Sequence, residues 1–174
     1  MMNRRIVATS MLSGMLLLVG CQTTPLTTAE YTNRTTLSNL RPSTQAPKLT
    51  VEKSASIYRV GDPIRFRVTS AQAGKLWVVQ VDPHDRVNVL YPPAQGQVDH
   101  RISANTPTDL PNPQWTTSIQ AAEPAGMSEL AFIVTPINQD LSEILTIQNG
   151  RLIRTAFASD QKWSMTRVKL DVRR

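Results

Sequence analysis

The sequence predicts a mainly β domain, an antiparallel sandwich or a partly open barrel with one short helix near residues 140–148. Short apolar runs recur between turn residues at intervals typical of such folds. Twelve prolines against seven glycines disfavour long helices, and 40% hydrophobic residues suit a folded body. A chain of 174 residues leaves room for one domain and little more.

The strand candidates begin after Lys48. Ile64, Phe66 and Val68 alternate with polar residues behind the turn sequence Gly61-Asp62-Pro63, which is the period of a half-buried strand. Residues 76–81 form a nearly continuous apolar run, as expected for a strand covered on both faces. The returning strand of a hairpin is predicted at 87–91. Further strands are predicted at 101–103, 115–119, 129–135, 153–157 and 162–172.

The best helix candidate runs from Asp140 to Gln148. Asn138 or Asp140 would cap its start, and Gly150 stands just past its end. No other segment has a comparable helical pattern, so the expected domain carries this one helix beside its strands.

The N-terminus has the pattern of a targeting segment. Arg4 and Arg5 precede an apolar run over 6–19, which is shorter than the roughly 20 residues needed to span a bilayer core. The run ends in Leu18-Val19-Gly20-Cys21, which resembles the bacterial lipobox. Cys21 is the only cysteine, so it cannot form an internal disulfide and is expected to accept a lipid.

The lipobox resemblance implies cleavage before Cys21 and a stable anchor of several acyl chains, palmitate among them. Gln22 follows the cysteine where enterobacterial lipoproteins retained at the inner membrane carry Asp. The resemblance therefore implies the outer membrane, with the body in the periplasm or at the surface. The expected organisation is a signal peptide at 1–20, a lipidated cysteine and tether at 21–48, and a β domain at 49–174.

The tether is inferred from composition. Residues 22–48 hold eight threonines, three prolines and no glycine, and their apolar residues show no sustained period. Fully stretched, 27 such residues would cover on the order of 90 Å. The alternative is a short helix at 31–40 docked on the domain. Asn33-Arg34-Thr35 matches a glycosylation sequon, which in a bacterial lipoprotein is interpreted as accidental.

The order of several short motifs resembles the uncharacterised bacterial domain family DUF4384 over about residues 58–136. The matching features are Val60-Gly61-Asp62, Gly74, Leu76 to Asp82, Leu90-Tyr91-Pro92, Leu110-Pro111, Pro124-Ala125-Gly126 and Leu130 to Val134. Relatives commonly place a glycine in the hairpin where this chain has Asp82 to Arg86, so a longer or different turn is expected here. The resemblance implies a sandwich-like accessory domain and no particular reaction.

Candidate chemistry is sparse. Asp82, His84 and Asp85 could form a metal or acid–base cluster, and Asp99 with His100 would enlarge it. The intervening strand would hold the two groups roughly 16 Å apart, which favours reading Asp82 and Asp85 as turn residues and His84 as solvated. The sequence contains no Gly-x-Ser-x-Gly elbow, phosphate-binding loop or HExxH motif. No catalytic residue and no cofactor are assigned.

The formal charge of +6 is concentrated late in the chain. On the last predicted strand Arg167 and Lys169 share one face, and Arg173 and Arg174 follow. These residues could bind lipopolysaccharide, peptidoglycan or an acidic protein, or could protect an edge strand from aggregation. Trp115 could be a surface anchor or a cap on the sandwich, whereas Trp77 is expected in the core and Trp163 half buried. An envelope location and few aromatics disfavour nucleic acid.

Three functions remain open from the sequence. The first is a non-enzymatic outer-membrane lipoprotein that binds or scaffolds an envelope protein, in secretion, motility or wall-building machinery. The second is a glycan, lipopolysaccharide or peptidoglycan binder that uses residues 92–114 and the basic C-terminal strand. The third is a small metal-dependent hydrolase around His84. The first fits the composition and the anchor best.

Overall fold

The computed structural model describes residues 32–93, 98–112, 118–155 and 162–174. Within these ranges one α-helix, one 3-10 turn and eleven strands form three sheets. The helix is α1 (Asn33–Asn39) and the 3-10 turn is Leu141–Glu143. The strands are β1 (Leu49–Lys53), β2 (Ile57–Arg59), β3 (Phe66–Ser70), β4 (Gly74–Val81), β5 (Val87–Tyr91), β6 (Arg101–Ile102), β7 (Thr108–Leu110), β8 (Gly126–Thr135), β9 (Leu145–Gln148), β10 (Arg151–Arg154) and β11 (Ser164–Arg173).

A six-stranded sheet forms the middle layer, in the order β2-β11-β8-β4-β5 with β6 beside the start of β4. β8 lies at its centre, with antiparallel partners β11 on one side and β4 on the other. β4 and β5 form the predicted hairpin, and β2 joins β11 as the parallel pair. The long antiparallel strands β11, β8 and β4 therefore form the centre of the fold.

The first face of this sheet packs on the small sheet β1-β3-β7. Leu130, Phe132 and Val134 of β8 point to this side and meet Phe66 and Val68 of β3. The rings of Phe66 and Phe132 make an edge contact with their centroids 5.0 Å apart. The two sheets enclose one hydrophobic core, which confirms the predicted β-sandwich.

The second face is covered by α1, the 3-10 turn and the β9–β10 hairpin. Ala131 and Ile133 of β8 point to this side and pack with Leu37 of α1, Leu145 of β9 and Leu152 of β10. Because both faces are covered, β4 and β8 carry apolar residues at successive positions rather than alternate ones. The continuous apolar run at 76–81 has this cause.

The predicted tether is wrong for its described part. Residues from Thr32 onward are folded onto the domain, with Leu37 0% and Leu40 2% exposed. The alternative of a docked helix within 31–40 is the observed one, since α1 spans Asn33–Asn39. Leu37 and Leu40 are the apolar pair, three residues apart, that a helix turns toward one side. Residues 22–31 lie outside the described ranges.

A single buried amide fastens α1 to the two hairpins beside it. The Asn33 side chain is 8% exposed, and its Oδ1 accepts the backbone N–H of Leu152 at 2.7 Å. Its Nδ2 donates to the backbone carbonyls of Asp85 at 2.6 Å and Gly150 at 3.0 Å. One side chain thereby pairs three backbone groups from segments about 50 and 120 residues away. We call this arrangement the Asn33 clamp.

The helix predicted over Asp140 to Gln148 is wrong. Only Leu141–Glu143 forms a 3-10 turn, capped by reciprocal bonds between Asp140 and Glu143, and β9 follows directly. Asn149 and Gly150 have φ of 50° and 73° and close a two-residue hairpin between β9 and β10. An Asn-Gly pair is a strong hairpin signal because both positions need positive φ. It overrides the helical spacing of Leu141, Ile144 and Leu145.

Most of the remaining strand predictions are confirmed, at 66–68, 76–81, 87–91, 129–135 and 164–172. The prediction at 101–103 shortens to β6, and that at 153–157 shifts to β10. The candidate at 115–119 lies mostly outside the described residues. β1, β2 and β7 were not predicted. β2 and β7 have three residues each and pair with longer strands, and β1 pairs with β3, which has the same length.

We expect Asn33→Ala to lower the free energy of unfolding by about 3 kcal/mol, because it leaves the buried Leu152 N–H unpaired and removes the bonds to two partly buried carbonyls. Urea denaturation followed by tryptophan fluorescence would measure the change. Asn39→Ala is the matched control, since Asn39 lies exposed on the same helix and no substantial loss should follow. Equal stability of the two variants would contradict the clamp.

Candidate functional site

The turn between β4 and β5 holds the densest polar cluster predicted from the sequence. Asp82 is 3% exposed, and its Oδ1 accepts the backbone N–H groups of His84 at 2.8 Å and Arg86 at 2.9 Å. Its Oδ2 accepts Nε of Arg86 at 2.7 Å. Both carboxylate oxygens are therefore used within the turn, as the interpretation of Asp82 as a turn residue requires.

The electrostatics of Asp82 follow from these contacts. Burial alone would raise the pKa of its carboxyl group. The hydrogen bonds from the Arg86 backbone and side chain and from the His84 amide, with the Arg86 charge, outweigh burial and hold the pKa below its usual value. Asp82 is thus an anion whose carboxylate holds the shape of the turn through three hydrogen bonds.

Asp85 has a different role from the one expected. Its side chain bonds no amide of its own turn but caps α1, with Oδ2 accepting Asn33 N–H at 2.8 Å and Oδ1 accepting Arg34 N–H at 2.9 Å. A carboxylate suits the free N–H groups at a helix start. Its φ of 62° lies in the left-handed region, which glycine adopts most easily.

The candidate metal set Asp82, His84 and Asp85 is not assembled as one. Both carboxylates are engaged in the bonds above, and His84 is exposed. His100 lies elsewhere, against Trp77, with the two ring centroids 4.5 Å apart. Within the described ranges no group of three or more His, Cys, Asp or Glu side chains could hold a metal ion. No helix in the same ranges is long and apolar enough to cross a bilayer.

Three of the four basic binding candidates are engaged in internal contacts. Arg167 pairs with Glu129 at 3.8 Å and donates to the Ser38 carbonyl at the end of α1. Arg173 pairs with Asp171 at 3.0 Å and Arg174 with Glu123 at 3.1 Å. Lys169 is exposed on the same face as Arg167. The predicted basic surface is therefore a set of ion pairs, and Arg167 helps to hold α1.

β11 has a strand on its second side only at its end. Residues 164–172 pair with β8, and among the described residues only 171–173 also pair with β2, so at Arg167 and Lys169 the hypothesis of edge protection stays a prediction. Val168, Leu170 and Val172 face the first core, as the alternation predicted.

Two of the three tryptophans lie in or beside the second core. Trp163 is buried in the second core rather than half buried. Trp77 packs at the margin of that core and donates Nε1–H to Thr135 Oγ1 at 3.1 Å, so its predicted core position holds in part. Trp115 lies outside the described residues.

Besides a depression of about 590 Å³ lined by His84, Arg86, Glu123, Pro124, Ala125 and Arg174, two concave places lie in the described structure. One is a cavity of about 370 Å³ at an end of the sandwich, with Gln80, Asn88 and Ser128 among its polar lining residues. The other is a groove of about 430 Å³ between α1 and β10. It is lined by Asn33, Thr36, Asn39, Arg151, Leu152, Ile153 and Arg154. We call this the α1–β10 groove.

The sequence reasoning missed both the Asn33 clamp and the groove. Asn33 was noticed only as part of a sequon, and Arg151 and Arg154 were counted in the late basic surplus without being singled out. The available signal was Asn149-Gly150, which predicts a hairpin and therefore a second exposed strand at 151–154.

Comparison with known proteins bears on the middle of the chain. Residues 57–138 match the family model described as Domain of unknown function (DUF4384), which supports the resemblance inferred over 58–136. In a structure search the chain is similar to a crystal structure of the complex of zinc 2-glycoprotein and prolactin inducible protein from human seminal plasma. The identity is 10% and the TM-score 0.32, with 75% of this chain and 98% of that chain covered. A likeness this weak carries no argument. No curated protein matches the chain.

We expect Asp82→Asn to lower the free energy of unfolding at pH 7 by about 2 kcal/mol, since it weakens three bonds to a buried anion. The folded-state pKa lies below the unfolded value of about 3.9, so the stabilisation is present above that pH and is lost as the pH falls through the folded pKa. Urea titrations at pH 7, 4 and 3 should show the difference from the parent chain shrinking below about pH 4.

Asp109→Asn is the matched control for this titration. Asp109 also pairs with an arginine, Arg67, at 2.9 Å, but both side chains are exposed and little change should follow. A gap between parent and Asp82→Asn that stays constant down to pH 3 would show that the ionised carboxylate does not stabilise the turn.

Proposed function

We propose that the chain is a lipoprotein of the bacterial outer membrane, anchored through Cys21, whose β-sandwich binds or scaffolds another protein of the cell envelope without catalysing a reaction. The single observation that carries the anchor is Leu18-Val19-Gly20-Cys21 at the end of a short apolar run after Arg4 and Arg5. The sole cysteine stands at the position where a lipid would be attached.

The docked helix makes the proposed anchor short. The folded body begins at Thr32, so residues 22–31 are what remains between it and Cys21. Eleven residue steps reach at most about 36–40 Å, against on the order of 90 Å for the full tether expected from composition. Under the proposal the body would stay within about this distance of the membrane.

The entry point of the chain also gives the body an orientation. The start of α1 lies beside the β4–β5 turn and the β9–β10 turn, through the bonds of Asn33 to Asp85 and Gly150. Arg34 donates to the carbonyls of Asp82 and Met127, so the start of β8 is at the same end. Under the proposal this end of the sandwich is nearer the membrane.

The contacts at the candidate residues favour a binding role over the two alternatives. A hydrolase at His84 would need Asp82 or Asp85 for chemistry, and both carboxylates are engaged in structural bonds. Binding of lipopolysaccharide by the C-terminal basic residues would compete with the ion pairs of Arg167, Arg173 and Arg174. A protein partner requires neither change.

We expect Cys21→Ser to remove the protein from the outer membrane, because no acceptor thiol remains. Fractionation of cells should find the variant unprocessed or soluble, and mass spectrometry should find it without acyl chains. A Cys21→Ser protein that still sediments with the outer membrane would contradict the anchor.

Gln22→Asp tests the choice of membrane separately from lipid attachment. This variant keeps the cysteine, so acylation and membrane attachment should persist. If the enterobacterial sorting pattern applies, the protein should move from the outer to the inner membrane on a density gradient. An unchanged position would argue against the outer-membrane part of the proposal while leaving the anchor intact.

A further inference from the structure

The α1–β10 groove lies on the second face of the molecule, between a helix and an unpaired strand edge. β9 and β10 form a two-stranded sheet, so only one edge of β10 has a strand partner in the described structure. The other edge faces α1 across the groove. Unpaired strand edges recruit extended chains because their N–H and C=O groups seek partners.

The register shows which backbone groups of β10 face the groove. Arg151 pairs with Gln148 and Ile153 with Thr146, and the Thr155 N–H continues the ladder by donating to the Ile144 carbonyl at 3.0 Å. In an antiparallel pair, bonding groups alternate between the two sides of a strand. The N–H and C=O groups of Leu152 and Arg154 therefore point away from β9, toward the groove.

One of these four groups is already used. The Leu152 N–H donates to Asn33 Oδ1 as part of the clamp. The Leu152 carbonyl and both the N–H and the carbonyl of Arg154 remain. A parallel strand opposite Ile153 would bond the Leu152 carbonyl and the Arg154 N–H, and an antiparallel strand opposite Arg154 would bond both groups of Arg154.

The side chains around the edge add a charge preference. Arg151 and Arg154 line the groove, no acidic residue lines it, and neither arginine forms an ion pair within the described structure. Ile153 is 42% exposed between them and offers an apolar contact. Thr36 and Asn39 supply polar groups from the helix side.

We propose that the α1–β10 groove receives an extended acidic segment of an envelope protein, which adds to β10 as a further strand with carboxylates against Arg151 and Arg154. The inference rests on the proposed function, because it names the binding surface of that module. The strand bonds would give affinity, and the two arginines would select acidic sequences.

A photocrosslinking residue tests this site in intact cells. p-Benzoylphenylalanine replaces Ile153 in the full chain, and the matched control replaces Glu52, which is exposed on β1 in the small sheet over the opposite face. The proposal expects an adduct at position 153 and not at position 52, mapped by mass spectrometry to one acidic, strand-forming segment of another protein. Adducts to lipid or to a second copy, equal labelling at both positions, or no adduct would overturn it.

Two substitutions then separate strand pairing from charge. Arg154→Ala removes the charge, whereas Arg154→Pro also removes the N–H that faces the groove and spares the bonds to β9. Binding of the mapped segment, made as a synthetic peptide, should weaken about tenfold for Arg154→Ala and about tenfold further for Arg154→Pro. Arg65→Ala, an exposed arginine outside the groove, should leave the affinity unchanged.

The results that test the groove can be distinguished from the results that test the lipid anchor. If Arg154→Pro unfolds the hairpin, Arg151→Ala combined with Arg154→Ala still tests the charges, and equal affinity of all folded variants would overturn the site. Fractionation of the same cells reports attachment separately. An adduct from an unanchored chain would uphold the groove and contradict the anchor, and an anchored chain without an adduct would do the reverse.

Discussion

The Asn33 amide is the contact on which the second face of the molecule depends. Its three hydrogen bonds join α1, the β4–β5 turn and the β9–β10 hairpin, none of which is adjacent to another in sequence. A helix of seven residues is too short to hold its shape in water by itself, so α1 depends on this contact together with the burial of Leu37 and Leu40 and the cap from Asp85. Because α1 and the hairpin cover Ala131 and Ile133, the clamp also keeps the central sheet buried on both sides.

The Asn33 clamp joins segments inside the family match to segments outside it. The match to the family of unknown function covers 57–138, which includes β2 to β8 and the Asp85 turn. α1 and β10 lie outside it, so the α1–β10 groove is formed by segments beyond the matched region. Asp85 connects the two, since it occupies a left-handed position within the match and caps the helix outside it.

Sequence reasoning recovered what depends on local pattern. Alternation at 64–68 and continuous apolar runs at 76–81 and 129–135 located the main strands, because side-chain periodicity follows directly from strand geometry. The segment at 140–148 failed because two turns of helical spacing were weaker than the positive-φ preference of Asn149-Gly150. α1 was left as an alternative, since its stability comes from Asp85 and Asn33 contacts across long separations that no local window contains. The sequence pointed to the candidate metal ligands and the basic residues. It could not show which groups they bond, because those partners are brought together by the tertiary fold.

Hydrogen exchange of the intact chain tests the central claim most directly. The clamp predicts that the N–H groups of Leu152, Asn33 and Arg34 exchange slowly, because each donates to a side chain that only the docked helix and the Asp85 turn bring into place. They should open together, as one unit with the β9–β10 hairpin. Exchange of these three amides at the rate of a free peptide, while β8 stays protected, would show that residues from Thr32 onward are a loose tether after all.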